Sequence, residues 1–310
     1  MDTNLSGLKM TNPLILASGI LGVNSSIMVR IAEANCGAIT TKSIGPEPKI
    51  GNPNPTVVEL GNGNLINAMG LPNPGCKDFV EEITQYKART KTPVIASVFG
   101  KDLDEFLLVA ETLKKSKPDA FELNVSCPHG GKYGAIIGQD PNLVEEITKK
   151  IKKIVSVPVF VKISPNLTDL RIPAEAAIKG EADGIVLINT VRAMAIDIHY
   201  RKPILANKFG GLSGPAVKPV AIKCVYDIYA SFGDKIPIIG VGGVSTWQDV
   251  VEFLLAGATA VQLGTALAYC KDPLKISIFD DLVIGVKHYL ENEGFTHCKE
   301  LIGLAHKMED

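Results

Sequence analysis

Eight short apolar runs, each bounded by polar or glycine-rich turns, recur along the chain. They are Leu14–Ser18, Ala38–Ser43, Pro93–Val98, Ala120–Val125, Pro158–Ile163, Gly184–Asn189, Pro237–Val241 and Ala260–Gly264. Each reads as a continuous apolar strand rather than an alternating one, the pattern of strands buried on both faces. Longer amphipathic segments lie between them. Asp102–Lys115 places Leu103, Phe106, Leu107, Ala110 and Leu113 on one face. Asn142–Val155 does the same with Leu143, Ile147, Ile151 and Ile154, and Thr246–Leu255 with Val250, Val251, Phe253 and Leu254. Strands alternating with helices imply a parallel sheet, and eight units predict closure into a TIM (β/α)8 barrel. A doubly wound open sheet is the other arrangement of the same elements.

The 310 residues suit a single barrel domain spanning 1–310. The stretch before Asn12 and Pro13 is expected to form a small N-terminal hairpin capping the bottom of the barrel. Leu274–Lys307 is expected to supply the closing helices. Two connections exceed plain barrel turns: Ile44–Gly75, rich in Pro, Gly and Asn, and Val191–Gly214. Both follow strand C-termini, the face on which barrel active sites are built, so they are read as functional top-face loops rather than surface excursions.

The formal net charge of −1 gives no strong field for nucleic acid or an anionic membrane, so an anionic ligand must be met by local cations. The N-terminal residues lack a signal-peptide pattern, and no apolar run reaches membrane-spanning length, so a cytoplasmic protein is expected. Six scattered cysteines without a CxxC pair are read as free thiols, with no metal site.

Glycines mark the first candidate site. Gly240–Ser245 and Gly264–Ala266 follow the seventh and eighth strands, the usual phosphate-binding loops of this fold. Glycine lets the backbone approach an anion closely and turn its N–H groups inward. The alternative is that these glycines only make tight turns. Lys42 and Lys162 end apolar strands, where an ammonium costs desolvation unless it meets an anion or a salt-bridge partner. Asn67, Asn124, Asn166 and Asn189 lie at strand ends or in top-face loops. A lone Asn in a loop is more often a turn former, although its paired donor and acceptor also suit a ring bearing both amide N–H and C=O groups, so these residues alone name no substrate. Cys127 stands just past the fourth strand, before Pro128 and His129. Spacing alone leaves it a base, a nucleophile or an inert thiol.

Taken together, ELNVSCPH, VKISPN, INAMGLPNPG, ILANKFGGLSGPAVKPVAI, IPIIGVGG and VQLGTA resemble the dihydroorotate dehydrogenases, in order and over nearly the whole chain. The segment from Leu212 to Pro219 and the cysteine at the base position resemble the class 1B, NAD-linked catalytic subunit. The resemblance implies an FMN-dependent barrel that oxidises dihydroorotate to orotate in pyrimidine biosynthesis. Cys127 would take a ring proton while a hydride passes to FMN. It implies FMN contacts at Ser18, Lys42, Ser43, Asn124, Lys162, Ile188, Gly214, Gly242, Gly243, Gly264 and Thr265. It implies substrate contacts at Lys42, Asn67, Ala68, Met69, Gly70, Leu71, Asn124, Asn189 and Thr190. It also implies a homodimer docked to iron–sulfur flavoprotein subunits, a heterotetramer in which FAD and the cluster belong to the partner and NAD is the final acceptor.

The chain departs from the family pattern at Ser97, where Asn is usual, and in the loop from His129 to Gly134. Three other readings remain at this level. One is a dihydropyrimidine dehydrogenase-like enzyme, told apart by whether turnover needs the substrate carboxylate. Another is a flavin barrel acting on tRNA uridines, disfavoured by the absence of a basic patch. The third is a non-catalytic barrel that binds a phosphate ligand.

Overall fold

The computed structural model describes residues 1–125, 137–269 and 277–307. Eight parallel strands close into a barrel: β1 (Leu14–Leu16), β2 (Ala38–Thr40), β3 (Val94–Val98), β4 (Ala120–Asn124), β5 (Val159–Ile163), β6 (Gly184–Leu187), β7 (Ile238–Val241) and β8 (Ala260–Leu263). Each strand pairs with its sequence neighbour, and β8 returns to β1. This is the TIM-barrel order, and it excludes the open doubly wound sheet, which leaves two edges unpaired.

The predicted helices form close to their expected bounds, at Leu103–Leu113, Pro141–Ile154 and Trp247–Leu255. Their starts are set by caps. The side chain of Asp102 accepts from the Glu105 N–H at 3.0 Å, and that of Asp140 from the Asn142 N–H at 3.0 Å. The segment expected to be helical from residue 274 begins outside the described residues. Within them it holds one long helix, Ile278–Asn292, followed by two short 3-10 turns.

Strand parity divides the core into two layers. Leu14, Leu16, Ile39, Val94 and Phe121 face the helices. Ile15, Ala38, Ile95, Ala120, Phe160, Val186, Ile239 and Ala260 face the barrel axis and pack with Leu5, Leu8 and Met10. Those last three come from the N-terminal hairpin Thr3–Leu5/Leu8–Met10, which therefore plugs the bottom of the barrel with apolar side chains. Burying each of the larger ones stabilises the fold by about 1.5–3 kcal/mol.

The top is built differently from the loops expected there. Val57–Gly61 and Asn64–Asn67 from the first insertion join Val191–Ala193 and Gly210–Ser213 from the second in one four-stranded antiparallel sheet. Asn67 pairs with Gly211 and Leu65 with Ser213, so the two insertions are one structure although widely separated in sequence. Proline and asparagine density masked the strands: each insertion forms its own hairpin, and a third pairing, between Asn64–Asn67 and Gly210–Ser213, joins the two hairpins. No helix among the described residues is long and apolar enough to cross a membrane.

Candidate active site

Two residues beyond the apolar inward layer, the same strands carry polar side chains toward the axis: Thr40, Ser97, Glu122, Lys162 and Gln262. Above them lies a cavity of about 470 Å³ at the C-terminal ends of the strands. Its wall is mostly apolar, with Ile20, Leu65, Leu212, Val217 and Leu267 among the lining residues, and a few polar groups converge on it. That composition suits a flat ring system whose orientation is set by a handful of hydrogen bonds.

The glycine-rich end is formed by Gly242 and Gly243 after β7 and by Gly264 and Thr265 after β8. Gly242 and Gly243 have φ of 140° and 77°, conformations in which a side chain is strained. The β7 exit is fastened by Asp249, which accepts from the Ser245 and Thr246 N–H groups, both at 2.8 Å, and closes a capping box with Thr246. Lys218 donates to Asp249 at 2.8 Å and to Glu252 at 2.7 Å. Burial pushes the Asp249 carboxyl up, but the bonds from Lys218, Ser245 and Thr246 outweigh it and hold its pKa below the ordinary range. Asp249 thus already takes the N–H groups of Ser245 and Thr246.

The cavity floor carries Lys42, Ser43, Asn124 and Lys162. Burial pushes the Lys42 pKa down, so its ammonium is held in a setting that an anion would stabilise. Asn124 donates to the Ser43 hydroxyl at 2.9 Å, which also lies 3.1 Å from Ser18 and 2.9 Å from Ser97. Ser97, where the family pattern has Asn, is fully buried behind Ser43 and does not line the cavity. Its hydroxyl bonds Glu122 at 3.3 Å instead.

The opposite wall comes from the insertions. Asn67, Met69, Gly70 and Leu71 line it, together with Asn189 and Thr190 from the β6 exit. Gly70 and Leu71 both have positive φ, and Asn73 pins this turn by donating to the Leu71 carbonyl at 2.9 Å and accepting from the Gly45 and Gly75 N–H groups. Asn67 donates to the Gly211 carbonyl at 3.3 Å.

Of the residues singled out from sequence, Ser18, Lys42, Ser43, Asn67, Met69, Gly70, Leu71, Asn124, Lys162, Ile188, Asn189, Thr190, Gly242, Gly243, Gly264 and Thr265 all meet around this one cavity. Ala68 does not; strand alternation turns it into a small core with Ile66 and Leu205. Gly214 also stands off the lining, where it supports the β7 loop from behind. Asn166 ties the β5 exit to the second insertion, donating to the Thr190 carbonyl and accepting from the Arg192 N–H. Cys127 and His129 lie outside the described residues. Cys36, Cys76, Cys224 and Cys298 are buried free thiols, and burial pushes Cys36 up to about 12 and Cys224 up to about 11. Among the described residues, no group of three or more His, Cys, Asp and Glu side chains is placed to hold a metal ion.

Sequence reasoning missed Glu122, Gln262 and Thr40. Their signal was present: each interrupts an apolar strand at an inward-facing position, where a polar side chain needs a partner. It missed Asn73 as well, which reads as one more turn residue until its three partners are seen.

A family model described as dihydroorotate dehydrogenase matches residues 1–284, a span that includes all eight barrel strands. Three curated relatives share the description "Dihydroorotate dehydrogenase B (NAD(+)), catalytic subunit". The Methanosarcina mazei protein is 51% identical over 305 residues, covering 98% of this chain and 95% of that one. The Pyrococcus furiosus protein is 51% identical over 304 residues, covering 98% of each. The Methanocaldococcus jannaschii protein is 46% identical over 310 residues, covering 99% of this chain and 98% of that one. With the match running from the N-terminal hairpin through the last barrel strand, the chain belongs to the dihydroorotate dehydrogenase family.

Proposed function

We propose that the chain oxidises dihydroorotate to orotate with FMN as its cofactor, acting as one barrel domain. The observation that carries this reading is a single cavity with a glycine-rich anion end, two lysines on its floor and three asparagines, Asn67, Asn124 and Asn189, around it. The descriptions of the relatives supply the substrate.

The residues fit a flavin mononucleotide. Gly242, Gly243, Gly264 and Thr265 suit its phosphate: the backbone there admits close approach, and a Cβ on Gly264 would meet nothing nearer than 3.6 Å, so its cavity side is open. Lys162, Asn124 and Ser43 stand where the polar edge of the ring system would be held. When bound, FMN supplies the acceptor for the hydride that leaves the substrate ring. Lys162 places a positive charge, nearly buried, where negative charge develops, a preorganised electrostatic contribution. Lys42 meets the substrate carboxylate, and Asn67, Asn124 and Asn189 offer both donors and acceptors to its amide edge.

Cys127 takes the proton from the ring carbon next to the one that loses the hydride. A thiol titrates near about 8.5 in water, so the loop must bring its thiolate into reach of neutral pH. The relatives are described as catalytic subunits of NAD-linked enzymes, which supports a partner subunit. We assign the partner FAD and an iron–sulfur cluster, through which electrons leave this chain for NAD in a heterotetramer built on a homodimer.

The test is anaerobic addition of dihydroorotate to the purified, FMN-loaded chain while its visible spectrum is followed, with dihydrouracil in parallel. Bleaching by dihydroorotate alone is expected. Bleaching by dihydrouracil instead would move the reading to an uncharged pyrimidine. A chain that takes up no FMN would overturn the flavin reading.

A further inference from the structure

A charged pair stands at the cavity floor, Lys162 lining the cavity and Glu122 behind it, in a layer that barrel closure does not require. Two residues earlier on the same strands, the inward positions are Ala120, Phe160 and Ala260, and they pack as plain hydrocarbon. At the next inward step stand Glu122, Lys162 and Gln262, exposed by 0%, 5% and 1%. Removing a carboxylate and an ammonium from water is costly, and well-packed apolar side chains would close the barrel without that cost.

The pair is not in direct hydrogen-bond contact. The Lys162 ammonium is 3.7 Å from Glu122 Oε1. Beside them the Gln262 amide bridges the pair: its Oε1 accepts from Lys162 at 3.3 Å and its Nε2 donates to Glu122 Oε2 at 2.8 Å. The opposite orientation of that amide would set its NH2 against the ammonium and its oxygen against the carboxylate, so the charges at its two ends select the observed one. Glu122 is held from its other side by the Ser97 hydroxyl, and Thr40 accepts a long bond from Gln262 at 3.4 Å. The amide thus acts as a spacer. It keeps the ammonium near its countercharge but not collapsed on it, and Lys162 still lines the cavity.

We propose that Glu122 is a positioning residue that, through Gln262, holds the Lys162 ammonium toward the cavity and, by its own charge, sets the reduction potential of the flavin bound there. The proposal rests on the flavin reading above. Glu122 offsets part of the positive charge that Lys162 presents, so it keeps the reduced, negatively charged cofactor from being over-stabilised. The two members of the device act with opposite signs. Losing the carboxylate leaves the ammonium uncompensated and raises the potential. Losing the spacer lets the ammonium settle on the carboxylate, away from the cavity, and lowers it.

The test is anaerobic potentiometric titration of the FMN-loaded chain, with thermal melting measured on the same samples. Glu122→Gln is expected to raise the midpoint by about tenfold in the reduced-to-oxidised ratio, roughly 30 mV for a two-electron couple. Glu122→Asp, which keeps the charge, is expected to stay near wild type. Gln262→Met is expected to shift the midpoint the other way, and it carries the test alone if Glu122→Gln does not fold. A melting point that falls while the midpoint stays fixed in both variants would make the layer merely structural and overturn the proposal. Shifts of the same sign in both would overturn the spacer role. A wild-type chain that binds no FMN would remove the flavin reading itself, a failure visible before any variant is made.

Discussion

Gly243 after β7 and Gly214 at the end of the second insertion fit against each other with no room for a side chain: a Cβ on Gly243 would come within 2.7 Å of the Gly214 carbonyl oxygen. The glycine-rich end of the cavity and the antiparallel sheet above the barrel are thus locked at one backbone contact. Gly214 in turn backs onto the Gly63 carbonyl, in the turn between the first insertion's strands.

Gly243→Ala is expected to cost about 1–3 kcal/mol, the usual price of forcing a side chain into a left-handed backbone. It should also weaken FMN retention at least tenfold. Gly264→Ala is the control, since its Cβ would meet only ordinary contacts at 3.6 and 3.7 Å. That variant should melt within about 0.5 kcal/mol of wild type, yet bind FMN less well where close backbone approach to the phosphate matters. Melting curves and FMN titrations on both variants check this. Equal stability loss in the two would refute the distinction.

Asp249 joins acid sensitivity to the same loop. Its pKa is held below the ordinary value of 3.8, so the stability it confers is present above that value and is lost as pH falls through the lowered one. Asp249→Asn should therefore unfold at lower denaturant than wild type at neutral pH, by about 1 kcal/mol for a weakened cap. The gap should begin to narrow below about pH 4 and keep narrowing as pH falls further. Denaturant midpoints measured from pH 7 to pH 3 report it, and a gap that widens in acid would contradict the assigned sign.

Lys42 gives a pH dependence of ligand binding. Its pKa is lowered by burial, and an anion would bind its charged form more tightly than its neutral form. Orotate affinity should accordingly fall as pH rises, beginning below the range in which an ordinary lysine titrates. Titrations in a Cys127→Ala background separate this from the thiol. Lys42→Met should flatten the profile and weaken orotate binding.

Cys127→Ala should retain FMN and lose turnover by about 10²- to 10⁴-fold, the range of a removed general base. Stopped-flow reduction of the cofactor by dihydroorotate is the direct reading. Full activity in that variant would sink the assigned base.

At the other end of the barrel, Phe160→Ala should destabilise by about 3–5 kcal/mol. Phe160 is fully buried among the inward layer that the hairpin residues Leu5, Leu8 and Met10 close off. FMN binding at low temperature should be unchanged, because the polar layer separates this plug from the cavity. Denaturant unfolding and FMN titration distinguish the two effects.

The sequence by itself determined the barrel and the position of its glycine loops. Parallel strands buried on both faces read as unbroken apolar runs, and helices with one buried face show a 3.6-residue period; both signals are local. Lys42, Lys162 and the asparagines could be singled out because polar groups at the ends of apolar strands must find partners. Tertiary structure alone decided the rest. Asn64–Asn67 makes a local hairpin with Val57–Gly61, but its other edge is covered by Gly210–Ser213 from far along the chain. Ala68 left the site because strand alternation turned it into the core with Leu205. Glu122, Lys162 and Gln262 sit on β4, β5 and β8, and their meeting depends on inward parity and on closure of the barrel. A polar residue within a strand announces that it needs a partner, but which partner it finds is set by the geometry that brings distant strands to one axis.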